Sequence, residues 1–341
     1  MSPVSVSAPP VSPTTAASQA FVAAHLGQAI ALGERLATLA GQPEELAAAL
    51  EAGFRDLADS SYIDGVHRVT PGLGEIVGIR LPLMEAAHKA FKRGTAHIPT
   101  SPLLDVVGRL IGYRYADIRW FGMWDLERLL PADPERTWQL MRRAARDAEE
   151  WITVDTLAHP YGAGILADPR RWAELDQLVF SPSRWERRLV GSTLATMPHG
   201  KARAAREKAL VQRGLTLIGQ LIGDAEPDVQ KALSWALRTF AQLDLEMTTA
   251  FLEAEARTAR QDQDGNRAWV IRDSLSKLPA DAAADLRSTL DGIRRFCGGP
   301  STSRAATIAA GFAPSRVVRG GPSNDPLLSG LSKATGRNSA P

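Results

Sequence analysis

Residues 228–244 read DVQKALSWALRTFAQLD, and three further stretches share their look: DIRWFGMWDLERLLP at 117–131, RWERRLVGSTLATMP at 184–198 and NRAWVIRDSLSKLP at 266–279. Each opens polar, places a tryptophan near its start or middle, and carries arginine or lysine on its early turns. Three of the four end on Leu-Pro or Met-Pro. The closing residues Pro198, Asp244 and Pro279 lie 46 and 35 residues apart, which brackets the roughly 40–47-residue period of HEAT-type helical pairs. From Pro131 to Pro198 is 67 residues, long for one repeat and short for two. The stretch around Trp151 is therefore expected to be an inserted unit among uneven hairpins.

Outward from these segments, about residues 21–297 read as helix after helix. Alanine, leucine, glutamate and arginine dominate. Apolar residues recur at three-, four- and seven-residue steps, as in Leu32, Leu36, Leu39 and Leu46, or Leu210, Leu217 and Leu221. Alternating β-branched runs are nearly absent, which argues against a sheet. The expected fold is all-α, a HEAT-like solenoid with a concave groove lined by the four similar segments. Residues 1–20 and 298–341, rich in Pro, Ser, Gly and Thr without an apolar period, are expected to be disordered tails.

The 341 residues are 44% hydrophobic with a net charge of +2. No run reaches the roughly 18 apolar residues of a membrane span, and the uncharged first twenty residues lack the basic start of a secretory signal. The single cysteine, Cys297, excludes an internal disulfide and a cysteine-rich metal site. A cytoplasmic location follows as the default. Residues 298–341 hold five basic residues against one acidic, so the body is near −2. Any affinity of the body for nucleic acid must come from where its cations sit. If the four segments line one surface, Arg119, Arg184, Arg187, Arg188, Lys231, Arg238, Arg267 and Arg272 form a stripe able to follow a phosphate backbone. Taken singly, each is also an ordinary solvated position. The basic tail is either a solvated appendage or a weak, sequence-blind attractor for DNA.

Trp151 and Asp155 are four apart and share a helix face, with Ile152, Val154 and Leu157 available for the buried side. A tryptophan beside a carboxylate suits a cationic ligand. A core tryptophan with a surface aspartate fits the same spacing. Trp185 with Arg188, and Lys231 with Trp235 and Arg238, follow at helical spacing in the next units, whereas Trp120, Trp172 and Trp269 suit core positions. No metal-ligand set, phosphate-binding glycine loop or nucleophile elbow is visible. His159 and His199 flank prolines and read as turn residues.

At these residues the chain resembles the DNA alkylation repair glycosylases of the HEAT-repeat type, often called AlkD-like. The resemblance covers roughly residues 74–280. It rests on Gly78-Ile79-Arg80-Leu81-Pro82, on Trp151 to Asp155, on Trp185 to Arg188, and on KALSWALR from Lys231 to Arg238. It implies hydrolysis of the N-glycosidic bond of N3- and N7-alkylated purines in double-stranded DNA, without cofactor or metal, by a monomer, and without flipping the base into a pocket. It implies that Trp151 and Trp235 lie against the damaged nucleotide and that Asp155 stabilises the oxocarbenium-like sugar and orients water. Arg188 would bind a phosphate, with Arg187, Lys231 and Arg238 as further backbone contacts. The cationic leaving group needs no general acid. After Gly78-Ile79 the chain departs from the pattern: Arg-Leu-Pro-Leu-Met-Glu stands where the family tends to carry polar and basic side chains. A non-catalytic relative that binds bent or branched DNA, and a HEAT scaffold for protein partners, are the competing readings.

Overall fold

A computed structural model of the chain describes residues 13–299 and 301–311. Its regular structure is helical, and among the described residues the β-type pairing is one isolated bridge between Ala58 and Ile79. In chain order the helices are α1 (Pro13–Ala37), α2 (Pro43–Asp56), α3 (Ser60–Val69), α4 (Leu81–Gly94), α5 (Thr100–Ile111), α6 (Ala116–Met123), α7 (Leu126–Leu129), α8 (Pro134–Arg146) and α9 (Trp151–Ala167). They continue as α10 (Trp172–Leu178), α11 (Arg184–Thr196), α12 (Lys208–Leu221), α13 (Pro227–Leu243), α14 (Leu245–Asp262), α15 (Gly265–Ser274), α16 (Ala280–Thr289) and α17 (Arg304–Gly311). No helix among the described residues is long and apolar enough to cross a membrane.

The sequence repeats map onto a run of neighbouring helices. α6 packs on α9, α9 on α11, α11 on α13 and α13 on α15. These five helices begin at Ala116, Trp151, Arg184, Pro227 and Gly265, 33 to 43 residues apart. The stretch around Trp151 is thus a regular member of the run, where an inserted unit was expected. Its sequence hid the fact: α9 reads WITVDTLAHPYGAGILA and has no basic residue on its early turns. Tyr161, Leu157, Ala158 and Ile165 are fully buried on it, the Leu157 and Ile165 side chains each contributing about 1.5–3 kcal/mol by leaving water. α11 lies between α9 and α13 and is buried from Arg187 through Thr196. Gly191 permits the tight crossing with α13, since a Cβ there would stand 2.8 Å from the Ala232 Cβ and 3.0 Å from the Leu233 backbone nitrogen.

Both expected tails hold helix at their inner ends. Residues 13–20 open α1, which packs along α4; a proline is tolerated in a first helical turn because the N–H it lacks has no partner there anyway. A Cβ at Gly33 would fall 2.0 Å from the Ala87 carbonyl oxygen, so glycine is what brings α1 and α4 together. At the other end α17 packs on α12, with Ala305 buried and Thr302 donating its backbone N–H to the Gly223 carbonyl at 3.2 Å. The remaining tail positions, 1–12, 300 and 312–341, lie outside the described residues.

Candidate active site

The site begins with the way α9 starts. Glu150 is buried and caps the helix, its carboxylate accepting the Thr153 N–H at 2.8 Å and the Ile152 N–H. Burial pushes the Glu150 carboxyl up, and the bonds from Thr153 and Ile152 oppose that rise. The Thr153 hydroxyl accepts the Trp120 indole N–H at 2.9 Å, which ties α9 to α6. With the first turn pinned, Trp151 donates its indole N–H to the Val69 carbonyl at 3.2 Å and lies against the end of α3. Asp155 follows one turn later and His159 one turn after that, on the same face. Val154 and Leu157 are buried as expected; Ile152 is half-buried and faces a cleft. His159 is not a turn residue. Pro160 sits inside α9 and cannot donate to the Thr156 carbonyl, so one bond of the helix ladder is absent on the cleft wall.

Asp155 is held on two sides by α11. Arg188 donates Nε to Oδ1 at 3.1 Å and Nη2 to Oδ2 at 2.7 Å, and the Ser192 hydroxyl donates to Oδ1 at 2.6 Å. The remaining Arg188 nitrogen, Nη1, donates to the Asp228 carbonyl at 2.7 Å. The Arg188 side chain is 7% exposed and the Asp155 side chain 21%, so the carboxylate keeps an edge open while the guanidinium does not. A buried guanidinium must be paired, and every nitrogen of this one is bonded within the protein. Arg188, expected to bind a phosphate, is engaged in the structure as a clamp on Asp155.

The open edge of Asp155 faces a cleft of about 1380 Å³. Its walls come from α1, α3, α4, α6, α7 and α9, and Tyr62, Met84, Trp124, Trp151 and His159 line it with Asp155. Trp235, Lys231, Arg238 and Arg187 do not. Trp235 is half-buried and packs against the core from α13. Arg187, expected as a backbone contact, is buried and bonded to Asp224 at 2.7 Å and to the Ser181 and Pro182 carbonyls. Arg238 bonds the Asp273 carboxylate and carbonyl, each at 2.8 Å. Lys231 is exposed. The rest of the expected stripe is likewise engaged: Arg119 with the Tyr113 and Arg114 carbonyls, Arg184 with Glu226, Arg267 with Asp264, and Arg272 with the Leu290 and Ile293 carbonyls. Helical spacing did not reveal that these positions lie at seams between helices, where cations meet carboxylates and backbone carbonyls.

The cleft also holds residues that spacing did not single out. Lys89 and Lys92 on α4 are exposed on its wall, and neither forms an ion pair among the described residues. They supply cations on the helix whose opening lacked them. Arg80 pairs with Asp59 at 2.6 Å and stacks over Tyr62, its guanidinium carbon 5.3 Å from the ring centre. Gly78 sets this corner with φ at +101°, where a Cβ would also strike Ile63. Its N–H and that of Val77 donate to the buried Asp117 carboxylate at 2.9 and 3.2 Å. Glu127 of α7 and His88 and Glu85 of α4 also line it. Among the described residues no group of three or more His, Cys, Asp or Glu is placed to hold a metal ion.

The family model described as DNA alkylation repair enzyme matches residues 50–278, from within α2 to just past α15. α1, which contributes Ala17, Ser18 and Phe21 to the cleft, precedes the matched span. No curated protein and no solved structure matches the chain.

Proposed function

The chain belongs to the DNA alkylation repair enzyme family, and from that premise we propose that it hydrolyses the N-glycosidic bond of cationic N3- and N7-alkylated purines in double-stranded DNA. The observation that carries this reading is Asp155: a carboxylate clamped by Arg188 and Ser192, with one edge open to a cleft and the Trp151 ring one turn away on the same face. An alkylated purine already carries positive charge, so its bond to the sugar breaks without a general acid. Positive charge then develops on the sugar. A fixed carboxylate placed there stabilises that charge without reorganising, which is commonly the largest catalytic contribution. Of the four in-plane lone-pair positions on Asp155, donors fill three. The fourth, on Oδ2, can accept a hydrogen bond from water.

Trp151 offers an aromatic face to the deoxyribose or the cationic base. Lys89 and Lys92 take the phosphate-binding role first assigned to the arginines, with Lys231 as a more distant backbone contact. Release without base flipping, a HEAT-type repeat, action as a monomer and a cytoplasmic, nucleoid-associated location belong to the same reading. Incubation with duplex DNA containing 7-methylguanine tests it by assay of free base and abasic sites. Wild type is expected to release base, and Asp155→Asn to lose release while still binding DNA. Binding of methylated DNA by wild type without release sinks the glycosylase reading and favours a binding-only relative.

A further inference from the structure

We infer that His159 is the general base that takes the proton from the water attacking the sugar. The inference rests on the glycosidic-hydrolysis reading above and adds to it a residue that neither the spacing of the motifs nor the family match assigns.

Asp155 is poorly placed to do this work alone. Arg188 and Ser192 fill three of its lone-pair positions, and Arg188 is locked in turn by the Asp228 carbonyl. Such a carboxylate is a fixed countercharge with room for one water. His159 lies one turn further along α9, lines the same cleft and has an exposed side chain. Residues four apart on a helix have Cβ atoms about 5–6 Å apart, a separation that lets one water bond to both side chains at once. The groups facing His159 are Glu127 from α7, His199 from the turn after α11 and Asp155 on its own helix. Across the cleft, α4 presents Glu85, His88, Lys89 and Lys92.

His159 keeps an exposed edge, yet partial desolvation of the ring lowers its pKa below the usual 6.5, a shift aided by His199 and opposed by Glu127 and Asp155. The imidazole is thus neutral at neutral pH and free to accept a proton. The step balances. The C1′–N bond breaks and its electron pair returns to the base, which leaves neutral. The water oxygen bonds C1′, and one water proton passes to His159. The imidazolium so formed is favoured by the charges of Glu127 and Asp155 and gives the proton to solvent.

The test is the single-turnover release of 7-methylguanine from duplex DNA across pH, with the enzyme-free rate subtracted, for wild type, His159→Asn and His159→Gln. Wild type is expected to lose activity as pH falls through a limb below 6.5, as the imidazole protonates. Both variants should release base about a hundredfold more slowly at neutral pH, the low end of general-base contributions, because the bond to a cationic base breaks easily. Both should also lose the acid limb while binding DNA as wild type does. A variant that keeps the wild-type rate, or one that is slower at every pH but retains the limb, overturns the proposal and leaves the glycosylase reading standing. No release by wild type removes both.

Discussion

Replacing Arg188 with alanine separates the two roles a basic residue can have at this site. In the structure the guanidinium is 7% exposed, gives two bonds to Asp155 at 3.1 and 2.7 Å, and gives a third to the Asp228 carbonyl at 2.7 Å. Its loss strands a carboxylate that is about four-fifths covered and removes the second donor from a first-turn carbonyl of α13. Breaking a buried ion pair from one side costs about 3–5 kcal/mol. The Asp155 edge that meets the cleft keeps some hydration, so about 2–4 kcal/mol is the working expectation after that discount. Urea unfolding of wild type, Arg188→Ala, Asp155→Asn and the double variant measures it, and the double-mutant cycle should show coupling of about 1.5 kcal/mol or more. Base release should fall as well, because the carboxylate loses its fixed position. Salt dependence is the discriminating measurement. A residue that binds one phosphate contributes about 0.9 to the slope of log K against log salt, and Arg188 should contribute nothing. A stability loss under about 1 kcal/mol together with a slope that drops by about 0.9 would show a guanidinium that serves DNA, and the clamp argument would be wrong.

Two further outcomes follow from the same geometry. Lys89→Ala and Lys92→Ala should each flatten the salt dependence of DNA binding by about 0.9 with little change in melting temperature, since both side chains are exposed and unpaired among the described residues; an unchanged slope in the double variant takes α4 out of the DNA-binding surface. Gly191→Ala should cost about 1–3 kcal/mol by overpacking, because the added methyl meets Ala232 and Leu233 at 2.8–3.0 Å. A thermal melt that does not shift would mean that α11 and α13 are not in close contact.

The all-α class was legible in the sequence because apolar periodicity reports burial directly, and the four tryptophan-bearing segments are indeed α6–α7, α11, α13 and α15. The fifth member of the run, α9, was harder to see. It lacks the early basic residues by which the four segments resemble one another, and its apolar residues lie almost all round. The Trp151–Asp155 pairing was readable because four residues of helix fix the geometry without help from the rest of the fold. The partners of the arginines were not. Arg187 meets Asp224 and Arg188 meets Asp155 across 37 and 33 residues of chain, and adjacent positions in the sequence gave no sign that the two would turn to opposite neighbours. The N-terminal wall was invisible for a related reason: residues such as Phe21, Tyr62 and Arg80 take their positions from packing of α1, α3 and α4.

The chain contains an internal control for how much the Trp-x-x-x-Asp spacing is worth. Trp269 and Asp273 repeat it on α15, and Asp273 is bonded much as Asp155 is: the Ser234 hydroxyl donates to it at 2.6 Å and Arg238 at 2.8 Å, both from the adjacent helix α13. An aspartate held by a serine and an arginine four residues apart is therefore a way this fold joins neighbouring helices, and it carries no chemistry by itself. What differs is the surroundings. Asp273 is 43% exposed and lies outside the large cleft. Asp155 shows one edge to the cleft beneath walls built by α1, α3 and α4, with His159 one turn away. A carboxylate stabilises developing charge best where bulk water does not screen it. On this chain that condition is met at Asp155 and not at Asp273, so an Asp273→Asn variant should keep base release at the wild-type rate while Asp155→Asn loses it. Equal loss in both would mean that the joint between helices, and not the cleft, is what the reaction depends on.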